Sequence, residues 1–207
     1  MIVMMSMIGP ALLIPLYVQN ALELSAFLSG LVIMPGAIIN GIMSIFTGKF
    51  YDKYGARPLI IIGFSLLTVF SIMLCFLSAD TSYLYLVIVY ALRMFSVSLL
   101  MMPLNTAGIN ALHKREISHG TAISNFGRVT AGSLGTALMV TVMTIGTKVY
   151  TQNARGIENK ELLQRQAIAN GVDYSFIVIS VFVVIGFSIA LFIKENRDVN
   201  EIKTRKV

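Results

Sequence analysis

Six separate stretches of this 207-residue chain are long and apolar enough to cross a lipid bilayer, and no other feature restricts its fold as much. They run about 2–18, 27–46, 59–77, 84–102, 121–145 and 174–193. A spanning segment must satisfy its own backbone hydrogen bonds without water, which an α-helix does. The alternating polarity of a membrane β-barrel is absent. Composition agrees: 56% of residues are hydrophobic and 13% charged, where a soluble domain carries about 25% charge. The net charge of +6 would fit nucleic acid only if the basic residues shared a soluble surface. They sit instead in the connections between apolar runs, so no nucleic-acid partner is expected. One cysteine, Cys75, excludes an internal disulfide framework or a cysteine zinc cluster. The chain reads as an all-α integral membrane protein whose first partner is the lipid bilayer. Its expected organisation is a six-span bundle over residues 1–193 and a tail over 194–207.

Lysine and arginine orient the bundle. Lys49, Lys53, Arg57, Lys114 and Arg115 fall on one side, together with Lys194, Arg197, Lys203, Arg205 and Lys206 of the tail. The other side carries only Lys148, Arg155, Lys160 and Arg165, all in the long outer segment 146–173. The positive-inside rule makes the richer side cytoplasmic, with both ends inside a plasma membrane. Tyr17, Tyr83, Tyr150 and Tyr174 at span ends suit an interfacial belt. The stretch Glu158–Arg165 predicts a short amphipathic surface helix stopped by Gly171. Met1 opens directly into apolar sequence with no basic flank, which points to a fragment that begins inside a longer chain.

Polar residues separate the spans into two kinds. The third and sixth contain only small hydroxyl, glycine, cysteine and apolar residues and read as lipid-facing. The others carry Gly9-Pro10 and Pro15, Pro35-Gly36 and Asn40, Arg93 with Pro103 just beyond, and Asn125 with Arg128. Helix breakers and amides at membrane depth belong where they face protein or a cavity. Gly9, Pro10, Pro103, Gly132 and Gly135 are expected at helix crossings or hinges. Arg93 lies mid-span, where a guanidinium costs about 2.5–3.5 kcal/mol on insertion scales. No Asp or Glu falls within any of the six spans, so Arg93 has to meet water, backbone carbonyls, an anionic ligand or a carboxylate on another polypeptide.

Between the second and third spans runs Gly48-Lys49-Phe50-Tyr51-Asp52-Lys53-Tyr54-Gly55-Ala56-Arg57-Pro58. Its Gly48, Asp52, Lys53, Gly55 and Arg57 resemble the signature loop of the major facilitator superfamily, with Ala56 replacing the first of the paired basic residues. The chain is similar, more closely, to the C-terminal half of the EmrB/QacA-type, fourteen-span drug:proton antiporters. The matching stretches are Pro15–Gln19, Gly30–Gly36, Arg93 followed by Met102–Asn105, Gly120–Asn125 with Arg128, and Gly132–Ala137. The glycines that follow the arginine in the family's related fourth-helix motif are replaced here by Met94, Phe95, Ser96 and Val97.

The resemblance implies a six-helix bundle of two inverted three-helix repeats, half of a major facilitator fold. Spans one, two, four and five would line a central cavity shared with a missing N-terminal half, and three and six would lie outside. Arg93, Arg128, Asn125, Asn40 and Pro35 become the cavity or coupling candidates. The signature loop becomes a cytoplasmic gate. The function implied is the C-terminal half of a proton-coupled multidrug efflux permease of a bacterial plasma membrane. It would work by alternating access on amphipathic drug-like substrates, with the proton gradient as energy source and no cofactor or metal.

Two other classes are weaker. A homodimerising or non-transporting half would set its arginines against each other without an acidic partner. An intramembrane enzyme would need clustered carboxylates or a nucleophile with its base. Asp52 is solitary, and His113 and His119 are six apart, which does not place them on one helical face. No catalytic residue is assigned.

Overall fold

A computed structural model describes residues 1–110, 116–154 and 159–192. Over those residues the chain is a bundle of six helices: α1 (Ile2–Asn20), α2 (Ala26–Tyr54), α3 (Ala56–Met73), α4 (Tyr83–Asn110), α5 (Ile117–Asn153) and α6 (Lys160–Leu191). All six are long and apolar enough to span a membrane. The tail 194–207, and His113, Lys114, Arg115 and Arg155, lie outside the described residues.

The helices outrun the apolar runs that announce them. Helix α2 continues through the whole basic segment to Tyr54, and only Gly55 separates it from α3. Gly55 has φ 82° and ψ 179°, a conformation that costs any residue with a Cβ. The signature segment is therefore mostly helix, with a one-residue break. At the other end α5 runs to Asn153 and α6 starts at Lys160, so most of the segment 146–173 is helical rather than loop. Asn159 starts α6 by accepting from the amides of Glu161 and Leu162 at 3.0 and 3.4 Å, while Ser25 caps α2 through Leu28. Gly171 does not stop α6. It lies inside that helix because a Cβ there would strike the Met143 carbonyl and Thr147 of α5.

Successive helices alternate in direction, so α1–α3 and α4–α6 are inverted relative to each other, and their packing repeats accordingly. Helix α1 packs on α5 as α4 packs on α2; α1 also meets α6 as α4 meets α3; and α3 meets α6 across the pseudo-twofold. Helix α4 is the most deeply enclosed, with 61% of its apolar stretch buried, against 17% for α2 and 28% for α5. Two apolar clusters fill the interior. One gathers Leu13, Tyr17, Leu74, Leu86, Tyr90 and Phe176. The other gathers Ile60, Phe64, Leu67, Val97, Leu100 and Val183 nearer the basic end.

Hydroxyl groups inside the helices are satisfied locally. Thr47, Ser65, Thr68, Ser96 and Thr136 each donate to the carbonyl four residues back, which makes such residues tolerable without water. The end opposite the basic segment is tied by longer bonds. Tyr17, buried rather than interfacial, donates to the Ser78 carbonyl at 2.5 Å. Tyr83 and Tyr85 donate to Leu28 and Met73. Arg165 donates to the Ala21 and Ala79 carbonyls and pairs with Glu23 at 3.5 Å, holding that residue at φ 55°.

Candidate functional site

The site candidates fall into three groups, of which only one lies on an open face. Arg93, expected at a cavity, is fully enclosed in the bundle, at the junction of the two apolar clusters. Its Nη2 donates to the Ser6 carbonyl of α1, and its Nε donates to Ser71 Oγ of α3 at 3.3 Å. The reason for the first bond is covalent. Residue 10 is proline, so the Ser6 carbonyl has no N–H four residues on to accept from. Arg93 fills that vacancy from α4. Its Nη1 has no hydrogen-bond partner. Of the environments open to this arginine, the bundle thus supplies backbone carbonyl and hydroxyl, not an ionic partner.

The second group is packing. Gly9, Gly132 and Gly135 meet at the crossing of α1 and α5: a Cβ on Gly9 or Gly132 would run into Met139 or Ile8, and one on Gly135 would lie 2.7 Å from Met5 Cα. These glycines bring two backbones within reach. Pro103 is buried within α4, and Gly36, next to the half-buried Pro35, sits under Tyr90 and Met94 of the same helix. Gly48 faces Met102, whereas Asp52, Lys53 and Arg57 are exposed at the basic end.

The third group faces outward. Helices α2 and α5 flank α1 and α4 but do not touch each other among the described residues. Between them Arg128 of α5, half-buried, donates from Nη1 to Asn105 Oδ1 of α4 at 3.1 Å and from Nη2 to Asn125 Oδ1 one turn earlier. The cluster stands about 16 Å along the axis from the start of α5. Across the bundle Asn40 of α2 is half-buried and its Nδ2 has no partner. Large apolar side chains are exposed elsewhere on the same helices, Ile38, Ile42 and Ile45 on α2 and Ile123, Phe126 and Val129 on α5. An apolar wall with a few fixed amides and one guanidinium can hold an amphipathic molecule by burial and orient it by hydrogen bonds. None of the carboxylates among the described residues belongs to this cluster, so it has no acid to exchange a proton.

Sequence reasoning missed three elements. The orphaned Ser6 carbonyl was readable from the four-residue step between Ser6 and Pro10, but not that Arg93 would fill it. Asn105 as the partner of Arg128 had no such signal, because the contact depends on how α4 and α5 cross. Asp173, placed in a loop by the sequence, sits on α6 and accepts from the Leu77 amide at 2.9 Å. It lines a cleft of about 240 Å³ with Asp80, Tyr150, Gln166 and Asn170 at the tied end. Among the described residues no three His, Cys, Asp or Glu side chains converge as metal ligands would.

Comparison with known proteins places this architecture. The chain is 36% identical over 191 residues to the lincomycin resistance protein LmrB of Listeria monocytogenes, covering 92% of this chain and 40% of that protein. It is 37% identical over 190 residues to the MFS-type transporter YcnB of Bacillus subtilis, covering 91% of this chain and 38% of that one. A more distant relative, a multidrug resistance protein B homolog of Mycobacterium tuberculosis, is 26% identical over 142 residues, covering 68% of this chain and 26% of its own length. The chain thus spans about 40% of the length of these two curated relatives. A profile of the Major Facilitator Superfamily matches residues 1–136. With that match and the inverted six-helix bundle, the chain belongs to the Major Facilitator Superfamily.

Proposed function

We propose that this chain is the C-terminal half of a drug efflux permease, of the EmrB/QacA type and driven by the proton gradient. It would work by alternating access against an N-terminal half that completes the cavity. The observation that carries the reading is that α2 and α5 do not meet among the described residues, and that between them the bundle carries the Arg128–Asn105–Asn125 cluster and an unpartnered amide on Asn40. The span of the relatives, more than twice this chain, leaves room for a second bundle. Relatives named for lincomycin and multidrug resistance support an amphipathic drug as substrate. The family match and the relatives named as transporters support a transporter rather than an enzyme.

Since none of the described carboxylates lies in this cluster, the proton carrier belongs to the other half in this reading, and Arg128 tunes it through opposite charge. The basic segment Gly48, Asp52, Lys53, Gly55 and Arg57 serves as the cytoplasmic gate, pivoting on the single-residue break at Gly55. Both ends of the chain lie on the cytoplasmic side of a bacterial plasma membrane in this reading, which the distribution of lysine and arginine supports. The test is efflux of an amphipathic cationic dye and of lincomycin from cells expressing the native protein. The reading expects expulsion that stops when a protonophore collapses the gradient. Expulsion that persists without the gradient, or no expulsion of either compound, would overturn it.

A further inference from the structure

We propose that the wedge between α2 and α3 at the basic end binds an acidic phospholipid, with an acyl chain in the wedge and the phosphate held by Lys53 and Arg57. The wedge arises from a breach of the pseudo-twofold. Helices α5 and α6 are drawn together where Gly146 meets Gly171, but their counterparts α2 and α3 diverge from Gly55 and touch little. The space left is a cleft of about 280 Å³. Phe50 and Tyr54 of α2 form one wall, their rings 6.4 Å apart; Pro58, Leu59 and Ile62 of α3 form the other, with Leu99 of α4 as floor. It opens on the bundle surface, where Phe50, Tyr54 and Ile62 are exposed. Such a lining gives a water-soluble anion or a polar metabolite nothing to bond, and it suits a hydrocarbon chain.

Charge at the mouth selects the headgroup. The Lys53 ammonium lies 5.2 Å over the ring of Tyr54, which is itself part of the wall. Arg57 is exposed and directly precedes the wall residue Pro58. Lys49 stands one turn earlier, over the ring of Phe46 at 5.8 Å. Asp52 is the one acidic residue between Lys49 and Arg57, so the rim stays cationic. Basic groups at a helix end beside an apolar inter-helix groove match the chemistry of an anionic lipid, headgroup at the interface and chain below it. A zwitterionic lipid would fill the wedge equally but would satisfy the cations less well. This inference rests on membrane insertion and the local geometry and is independent of any transported substrate.

The experiment places a benzoylphenylalanine photo-crosslinker at Tyr54 of the full native protein, in vesicles of equal phosphatidylglycerol and phosphatidylcholine. Mass spectrometry of the adducts then reads the headgroup. A control crosslinker replaces Ile185, exposed on α6 at the same end of the bundle but outside the wedge. Phosphatidylglycerol adducts are expected to exceed phosphatidylcholine adducts at position 54 by at least about fivefold over the ratio at position 185. The double substitution Lys53→Gln, Arg57→Gln should bring the ratio at position 54 down to that of the control. Equal ratios at the two positions in the otherwise native protein would overturn the proposal without reference to the double variant. An unchanged ratio in a folded double variant, or adducts to polypeptide instead of lipid, would do the same.

Discussion

At the scale of single residues, the central relation is between Pro10 and Arg93. A proline inside α1 removes one donor, and an arginine from α4 returns it to the Ser6 carbonyl. The guanidinium is costly to bury without a counter-ion, but the orphaned carbonyl would also be costly. The two positions should therefore be coupled. Arg93→Met alone strands the Ser6 carbonyl, whereas in a Pro10→Ala background the restored N–H at position 10 donates to it. Thermal unfolding of the native protein in detergent should show Arg93→Met better tolerated in the Pro10→Ala background by about 0.5–3 kcal/mol. Strict additivity would contradict the pairing. Arg93 itself stood out in the sequence as a mid-span cation without a partner, and the missing amide was legible too. Its location in the interior rather than in a cavity was not, because Ser6 and Ser71 lie 87 and 22 residues away. Arg128 shows the converse: its polarity marked it, and its bond to Asn105 depends on a helix crossing that no local spacing encodes.

Elements were legible where hydropathy sets them and less so where packing does. The six apolar runs each became a helix, since a backbone in lipid has little alternative. Their ends shifted because a helix, once started, continues through polar sequence until something breaks it. That explains why the basic segment is helical to Tyr54 and why Gly171 is interior. Gly55 is a break for a stereochemical reason, so Gly55→Ala should destabilise the native protein by about 1–3 kcal/mol, read as a lowered midpoint of thermal unfolding. Glycines elsewhere divide by surroundings. Gly135 faces the backbone of α1 at Met5, and Gly135→Val should cost about 1–3 kcal/mol or more, as overpacking does. Gly30 has no neighbour within 4 Å, so Gly30→Ala should leave the midpoint unchanged or raise it by about 0.5–1 kcal/mol of stability. A Gly135→Val protein as stable as the native one would mean that α1 and α5 do not cross as described.

For the whole molecule, the account turns on the face between α2 and α5. These are the least enclosed helices of the bundle, yet they carry Asn40, Asn125 and Arg128, groups that lipid alone would not satisfy. The sequence separated the polar spans from the plain ones, and the fold set α3 and α6 against each other on the side away from that face. In the proposed function, this face, in a chain that spans about 40% of its relatives, is one wall of a cavity whose other wall would be a second bundle. The most direct measurement is thiol accessibility in native membranes. Single cysteines would replace Asn40, Asn125 and, as a lipid-facing control, Val181, in a background where Cys75→Ser keeps the donor to the Ser71 carbonyl. The account predicts that a membrane-impermeant maleimide labels positions 40 and 125, that an amphipathic drug slows the labelling, and that position 181 stays unlabelled. Positions 40 and 125 as inert as 181, with or without drug, would contradict a water-filled transport cavity on this face.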